Sequence, residues 1–415
     1  MQHPPTPDAP GLFKSHFDYP AAHVASAPGR VEVLGNHTDY NGGTVVGAGI
    51  NLRLEVAAHV RSDDVIRLVS SGDGLNTTVV TTSIDTYSTD TLPDWTRYLL
   101  GVLDEFRLQG LWSDQGVDLA VDSALPIGMG LSSSAAIELS TAGVLTSIRQ
   151  TLEPKPGTDS KQDGAVAAPQ AHFGIDVLVG IAHWAENRYV GVPCGLLDQT
   201  VVGHAQKGSL IVLDASTNRH LAIALPPGVS FVLFRTHISH RLIDSPYESR
   251  HRECRTALMG LQRMIPGVRH LARLHPVDID AYEVVIDPVS VRRSRHVVEE
   301  QRRVGRFLRA LVEGDVTTAG QLMRASHDSS RVLFENSTPE LDILVERLME
   351  KPGVKGARLS GAGWGGAVMA MVDESFDDEA AESVCDAYEE LFEARPYWWR
   401  TDAEEGLRME ALATD

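Results

Sequence analysis

The chain has 415 residues, 43% of them hydrophobic and 22% charged, enough apolar material for two packed domains. A formal net charge of -19 argues against a nucleic-acid surface or an anionic membrane, while leaving room for an anionic ligand at a locally positive site. Cys194, Cys254 and Cys385 are too few and too scattered for a disulfide framework, the start MQHPPTPDAP does not read as a leader, and no stretch approaches a membrane span. The expectation is a cytoplasmic protein with neither nucleic-acid nor membrane partners; its oligomeric state is not legible.

From Val24 to Val60 the runs VEVLG, GTVVGAGI and LEVAAHV alternate with glycine-containing turns, which predicts a sheet of short hairpins. Trp95, Leu99, Val102, Leu103 and Phe106 recur at helical spacing, so DWTRYLLGVLDEF is expected to form an amphipathic helix with Asp94 as its N-cap. The strand VDLAVDS follows, then a glycine-rich turn entering an alanine-rich helix. The stretch from Thr151 to Gln170, rich in Pro, Gly, Asp and Ala without periodicity, reads as a surface loop. Ile175, Leu178, Val179, Ala182, Ala185 and Tyr189 mark a further helix broken by VGVPCG, and GSLIVLD closes this half near Asp214. The second half mixes the strands VSFVLFR and AVMAMV with charged helices near 246 to 264, 292 to 313 and 339 to 349. The pattern predicts two α+β domains, 1–215 and 216–415.

Three segments carry chemistry. In PIGMGLSSSAA, the turn of Gly128, Met129, Gly130, Leu131, Ser132, Ser133 and Ser134, small at its glycines and serines, precedes a helix, where exposed N–H groups and the helix dipole favour a phosphate; the pattern lacks the lysine of a Walker A loop. A serine-capped glycine turn has the same local form. In GVPCGLLDQ, Asp198 follows a turn that can expose it to a cleft, as a base facing Arg30 or as a plain cap. In RLSGAGWGGAVMAMV, the glycines exceed the needs of a hairpin, which points to close backbone approach. Near the start, GRVEVLGNHTDYNGG packs Asn36, His37, Thr38 and Asp39 between a strand and a Gly-Gly turn.

Taken in this order, the segments resemble the GHMP small-molecule kinases and, within them, the galactokinase branch. APGRVEVLGNHTDYNGG is similar to the sugar-binding motif, LPIGMGLSSSAAIE to the ATP loop and ARLSGAGWGGAVMAMV to the third motif. WAENRYVGVPCGLLDQ, HRLIDSPYESRHREC, RRSRHVVEEQRRV and MRASHDSSRVLFENSTPELDILV follow the same pattern, so the resemblance runs from Ala27 to Val372. It implies a two-domain α+β GHMP kinase fold, with an N-terminal ribosomal-protein-S5-like domain and a C-terminal ferredoxin-like α/β sandwich. The implied activity is ATP-dependent phosphorylation of the anomeric C1 hydroxyl of galactose.

The resemblance also implies roles. His37, Thr38, Asp39 and, from the second half, Tyr247 would face the sugar, together with Asn36. Asp198 would stand against the anomeric hydroxyl with Arg30 beside it. Gly128 to Ser134 would hold the ATP phosphates, and Ser134 with Glu186 would hold Mg²⁺. Trp364 and Ala367 depart from the family's usual residues without removing a catalytic group. Asn36 is the larger departure, because galactokinases usually carry glutamate there. A neutral amide in place of a carboxylate predicts a retuned sugar pocket and leaves other readings open: a kinase for a uronic acid, an N-acetylhexosamine or a pentose, or a non-catalytic sensor of sugar and ATP.

Overall fold

The computed structural model describes residues 6–71, 77–87, 91–126, 128–152, 173–238, 246–284 and 286–412. In place of short hairpins, the apolar runs of the first sixty residues build two long strands, β1 (His23–Leu34) and β2 (Thr44–Val60). The glycines that read as turns lie inside β2 because other backbone presses on them. A Cβ on Gly47 would come within 2.8 Å of Val201, and one on Gly49 within 2.7 Å of Ala205 and 2.8 Å of the Glu404 carbonyl.

β3 (Val65–Ser70), β4 (Val80–Ser83), β5 (Val117–Ser123), β6 (Ser209–Asp214) and β7 (Arg219–Ala224) extend this sheet. β8 (Ser230–Arg235), β9 (Val354–Ser360), β10 (Ala367–Val372) and β11 (Tyr397–Thr401) form a second, antiparallel sheet in the order β11-β8-β10-β9. The last strand, β12 (Arg408–Ala411), returns to the first sheet, whose order is β12-β1-β2-β5-β3-β4 with the β6–β7 hairpin branching from β2. Residue 215 therefore falls in the turn of that hairpin, and the first sheet draws on chain from both sides of it.

Helix α1 (Ala9–Phe17) covers one face of the first sheet through Phe13 and Phe17, against Ala57, Val69 and Ala120. The opposite face carries α2 (Thr96–Leu108), α3 (Ser133–Leu152), α4 (Ile175–Trp184) and α5 (Leu197–His204) around the largest apolar core. The N-cap of α2 is Trp95 and not Asp94: the turn from Pro93, whose carbonyl accepts the Thr96 N–H at 3.0 Å, starts the helix one residue later. α3 runs through Thr151 and Leu152, and the rest of the expected loop lies outside the described residues.

In the second half, α6 (Tyr247–Gln262), α7 (Pro276–Tyr282) and α8 (Pro288–Val312) share a core with Phe334. α9 (Val316–Ser329) packs on β9, and α10 (Pro339–Met349) and α11 (Asp378–Phe392) cover the second sheet. Each of the four helix starts with an aspartate or threonine cap, at Asp287, Asp315, Thr338 and Asp377, has that side chain accepting a backbone N–H of the first turn. Among the described residues, no helix is long and apolar enough to cross a membrane.

Candidate active site

The register of β1 against β2 shifts between Pro28 and Arg30 and again between Glu32 and Leu34. Such irregularities re-aim side chains, and here they bracket a short stretch whose alternate residues, Arg30 and Glu32, face one cavity. The cavity has a volume of about 390 Å³. His37, Asp39, Gly128 to Ser134, Glu186, Asp198 and Tyr247 also line it, so most of the residues singled out from the sequence come together.

At its centre, Arg30 and Asp198 meet across 168 positions of chain. The Arg30 Nε and Nη2 atoms donate to Asp198 Oδ1 at 2.8 and 2.5 Å, and Nη1 donates to the Gly130 carbonyl at 2.5 Å. Ser132 Oγ donates to the other carboxylate oxygen, Oδ2, at 2.5 Å. Asp198 sits in the first turn of α5, fixed by a glycine-loop residue on one side and by the β1 arginine on the other.

The glycine loop is shaped by its partner. Gly128, Gly130 and Ser132 all have φ near +70 or +60°, and Gly361, at φ 83°, lies opposite: a Cβ there would come within 3.1 Å of the Gly130 carbonyl, and one on Gly130 within 3.2 Å of the Ser360 carbonyl. The third glycine-rich segment is the wall against which the first is built. Ser133 opens α3, so the loop and the helix start both line the cavity.

On the other side, His37 stacks on Phe334 at 4.3 Å between ring centroids. Its Nε2 lies 3.1 Å from both the Ala362 carbonyl and Asn336 Nδ2, and its Nδ1 lies 3.1 Å from the Tyr40 hydroxyl. Burial holds its pKa down at about 3, so the ring is neutral. The Tyr247 ring lies 5.7 Å from it, at the start of α6. Gly195 lets the loop before α5 reach the Asp39 carboxylate, since a Cβ there would lie 2.1 Å from Oδ2.

Two expected sugar contacts do not line the cavity. Thr38 is fully buried, its Oγ1 2.8 Å from the Gly35 carbonyl and 2.9 Å from that of Thr44, closing the turn. Asn36, also fully buried, corrects the expectation that it reads the sugar. Its Nδ2 donates to Glu32 Oε1 and the Gly361 carbonyl, both at 2.9 Å, and its Oδ1 accepts from Ser330 Oγ at 3.1 Å and Asn336 Nδ2 at 2.9 Å. All four capacities of the amide are filled by protein, which leaves none for a ligand.

Ser134 and Glu186 both line the cavity, and the Ser134 side chain is among the neighbours that favour the Glu186 carboxylate. Gln199 Nε2 donates to Glu186 Oε2 at 2.5 Å and to Glu138 Oε2 at 3.3 Å. Glu138, one turn beyond Ser134 on α3, went unnoticed in the sequence; its signal was a lone carboxylate among small and apolar residues. Its Oε1 has no partner among the described residues. Burial pushes the carboxyls of Glu138 and Glu186 up, reinforced at Glu138 by Glu186 and Asp198 and at Glu186 by Asp198. Hard oxygens, an orphaned carboxylate oxygen and mutual repulsion make this a group that a divalent cation would relieve. Among the described residues, the group of three His and Asp side chains with metal-ligand spacing, Asp176 with His204 and His220, does not line the cavity.

Burial also pushes the Asp39 carboxyl up to about 7, and the Glu32 and Asp198 carboxylates act in the same direction. A carboxyl raised in the folded chain keeps its proton where the unfolded chain has lost it, so stability falls as pH rises from about 4 to about 7. Asp39→Asn removes that loss. Thermal melts across pH are expected to show the variant melting above wild type beyond about pH 7 and level with it near pH 4. A variant less stable at every pH would mean that the carboxylate is held by favourable contacts.

GHMP kinase N-terminal and C-terminal domain patterns match residues 97–156 and 307–393, which puts this cavity and its two sheets among the GHMP kinases. The galactokinase galactose-binding signature matches residues 11–60, the segment that carries Arg30 and the polar cluster. The chain is 32% identical to galactokinase of Clostridium acetobutylicum over 96% of each chain, and 32% identical to that of Bacillus subtilis over 96% of this chain and 97% of the other. The crystal structure of Lactococcus lactis galactokinase complexed with galactose superposes with a TM-score of 0.82 at 28% identity, covering 93% of this chain and 94% of that one. The chain belongs to the galactokinase family.

Proposed function

We propose that this protein transfers the γ-phosphoryl group of ATP to the anomeric C1 hydroxyl of galactose, giving galactose 1-phosphate and ADP. The observation that carries the reading is the Arg30–Asp198–Ser132 constellation, at the point where His37 and Asp39, just after β1, and the glycine loop before α3 share one cavity. Phosphoryl transfer asks a protein chiefly for positioning and charge stabilisation.

Asp198 faces the sugar's C1 hydroxyl and accepts its hydrogen bond, then its proton as the new P–O bond forms. Arg30 orients that carboxylate and adds positive charge beside the transferring group. The backbone N–H groups of Gly128 to Ser134 and the start of α3 receive the ATP phosphates. His37, Asp39 and Tyr247 hold the remaining hydroxyls. Ser134 and Glu186 are the residues that would hold Mg²⁺, which when bound offsets phosphate charge. ATP as donor and three free cysteines fit a cytoplasmic location.

ADP release with galactose against a panel of other sugars tests the reading; absence of galactose-dependent release would sink it. For the metal site, Glu186→Ala is expected to raise the Mg²⁺ concentration needed for half-maximal turnover, with partial rescue at high Mg²⁺ because the phosphates still ligate the ion. An equal deficit at every Mg²⁺ concentration would assign Glu186 a structural role.

A further inference from the structure

With Asn36 committed to protein partners, the sugar pocket lacks the carboxylate that galactokinases usually carry at that position. The cavity nevertheless holds a carboxylate four residues earlier. Glu32 lines it with Arg30, His37 and Asp39, and its side chain is only 7% exposed. Its backbone is pinned on both sides: the N–H donates to Ser360 Oγ at 2.9 Å and the carbonyl accepts from Arg358 Nη1 at 2.7 Å. Oε1 accepts from Asn36 Nδ2 at 2.9 Å and from Arg358 Nη2 at 3.1 Å. Among the described residues, Oε2 has no hydrogen-bond partner. A carboxylate fixed in place, with one acceptor oxygen unused and a cavity before it, is matched to a ligand hydroxyl.

We infer that Glu32 is a substrate-contacting specificity residue: its Oε2 accepts a hydrogen bond from one non-anomeric hydroxyl of the hexose, the acceptor role that Asn36 has given up. The inference rests on the galactokinase reading above. The pairing explains why the change at Asn36 leaves the pocket charged. Glu32 and Asn36 are hydrogen-bonded to each other, so moving the carboxylate from one to the other shifts it across a single hydrogen bond and keeps the pair intact.

The test measures kcat and KM for galactose and for the monodeoxygalactoses lacking the hydroxyl at C2, C3, C4 or C6, in wild type and in Glu32→Gln. In wild type, one deoxy sugar is expected to lose about tenfold or more in kcat/KM because it abandons a charged acceptor. In Glu32→Gln, galactose itself should fall about tenfold, mainly through KM, and the penalty for that one deoxy sugar should shrink to about twofold while the others keep theirs. Combining Glu32→Asn with Asn36→Glu should recover most of the galactose turnover that Glu32→Asn alone loses. A uniform loss over all the sugars, with no selective coupling to one hydroxyl, would overturn the inference and leave the galactokinase reading standing. No galactose turnover by wild type would overturn both.

Discussion

Asp198→Asn is expected to lower kcat by ~10² to 10⁴ while galactose still binds, because the change removes a proton acceptor and little else. The amide can keep the local geometry. Its Oδ1 still accepts from Arg30 Nε and Nη2, and its Nδ2 can donate to Ser132 Oγ, which then turns its own hydrogen away. The group that faces the sugar becomes a donor with no affinity for the anomeric proton. Calorimetry should therefore give a galactose Kd within about fivefold of wild type, while single-turnover phosphoryl transfer collapses. A variant that retained more than about a tenth of wild-type turnover would show that Asp198 orients the hydroxyl without taking its proton. Loss of binding in step with turnover would instead make it a ground-state contact.

Much of the site was legible because its parts are local. A glycine loop before an alanine-rich helix announces itself from Gly128 to Ser134, whereas the pairing of Arg30 with Asp198 and of Ser134 with Glu186 came from the family resemblance. What the sequence withheld was direction. Gly35 takes φ 104° and Glu300 Oε1, from α8, accepts the N–H groups of both Gly35 and Asn36, at 3.0 and 3.2 Å. That turn points Asn36 at Ser330, Asn336 and Gly361, partners some 300 positions away that no local pattern indicates. Glu32 left a clue that went unread: a carboxylate flanked by Val31 and Val33 in a strand must be paired or functional when it is buried. The fold followed the same division. Helices with a clear apolar stripe were found at nearly their observed limits, whereas the long β1–β2 pair was hidden by glycines that serve close packing against α5 and the chain near Glu404.

The buried pair behind that carboxylate sets the second large effect. Arg358, on β9, has no exposed surface and reaches Glu32 twice, once at the side chain and once at the backbone carbonyl, joining the second sheet to β1. Arg358→Met keeps the volume of the stem but strands a buried carboxylate and a carbonyl, a loss expected to cost about 3 to 5 kcal/mol of stability. Arg358→Lys should recover little, because one ammonium cannot reproduce two forked contacts. Burial already pushes the Glu32 carboxyl up, opposed by Arg358, Asn36 and Arg30, so removing Arg358 raises it further. A carboxyl raised in the folded chain contributes most when protonated and loses that contribution as pH rises through its folded pKa. The Arg358→Met deficit should accordingly be smaller near pH 5 than near pH 8, measured by urea unfolding at each. Adding Glu32→Gln should restore a substantial part of the loss at the higher pH, since the stranded charge is then gone. A double variant no more stable than Arg358→Met at pH 8 would show that the arginine acts through the Glu32 carbonyl alone, and that the carboxylate is not what makes it necessary.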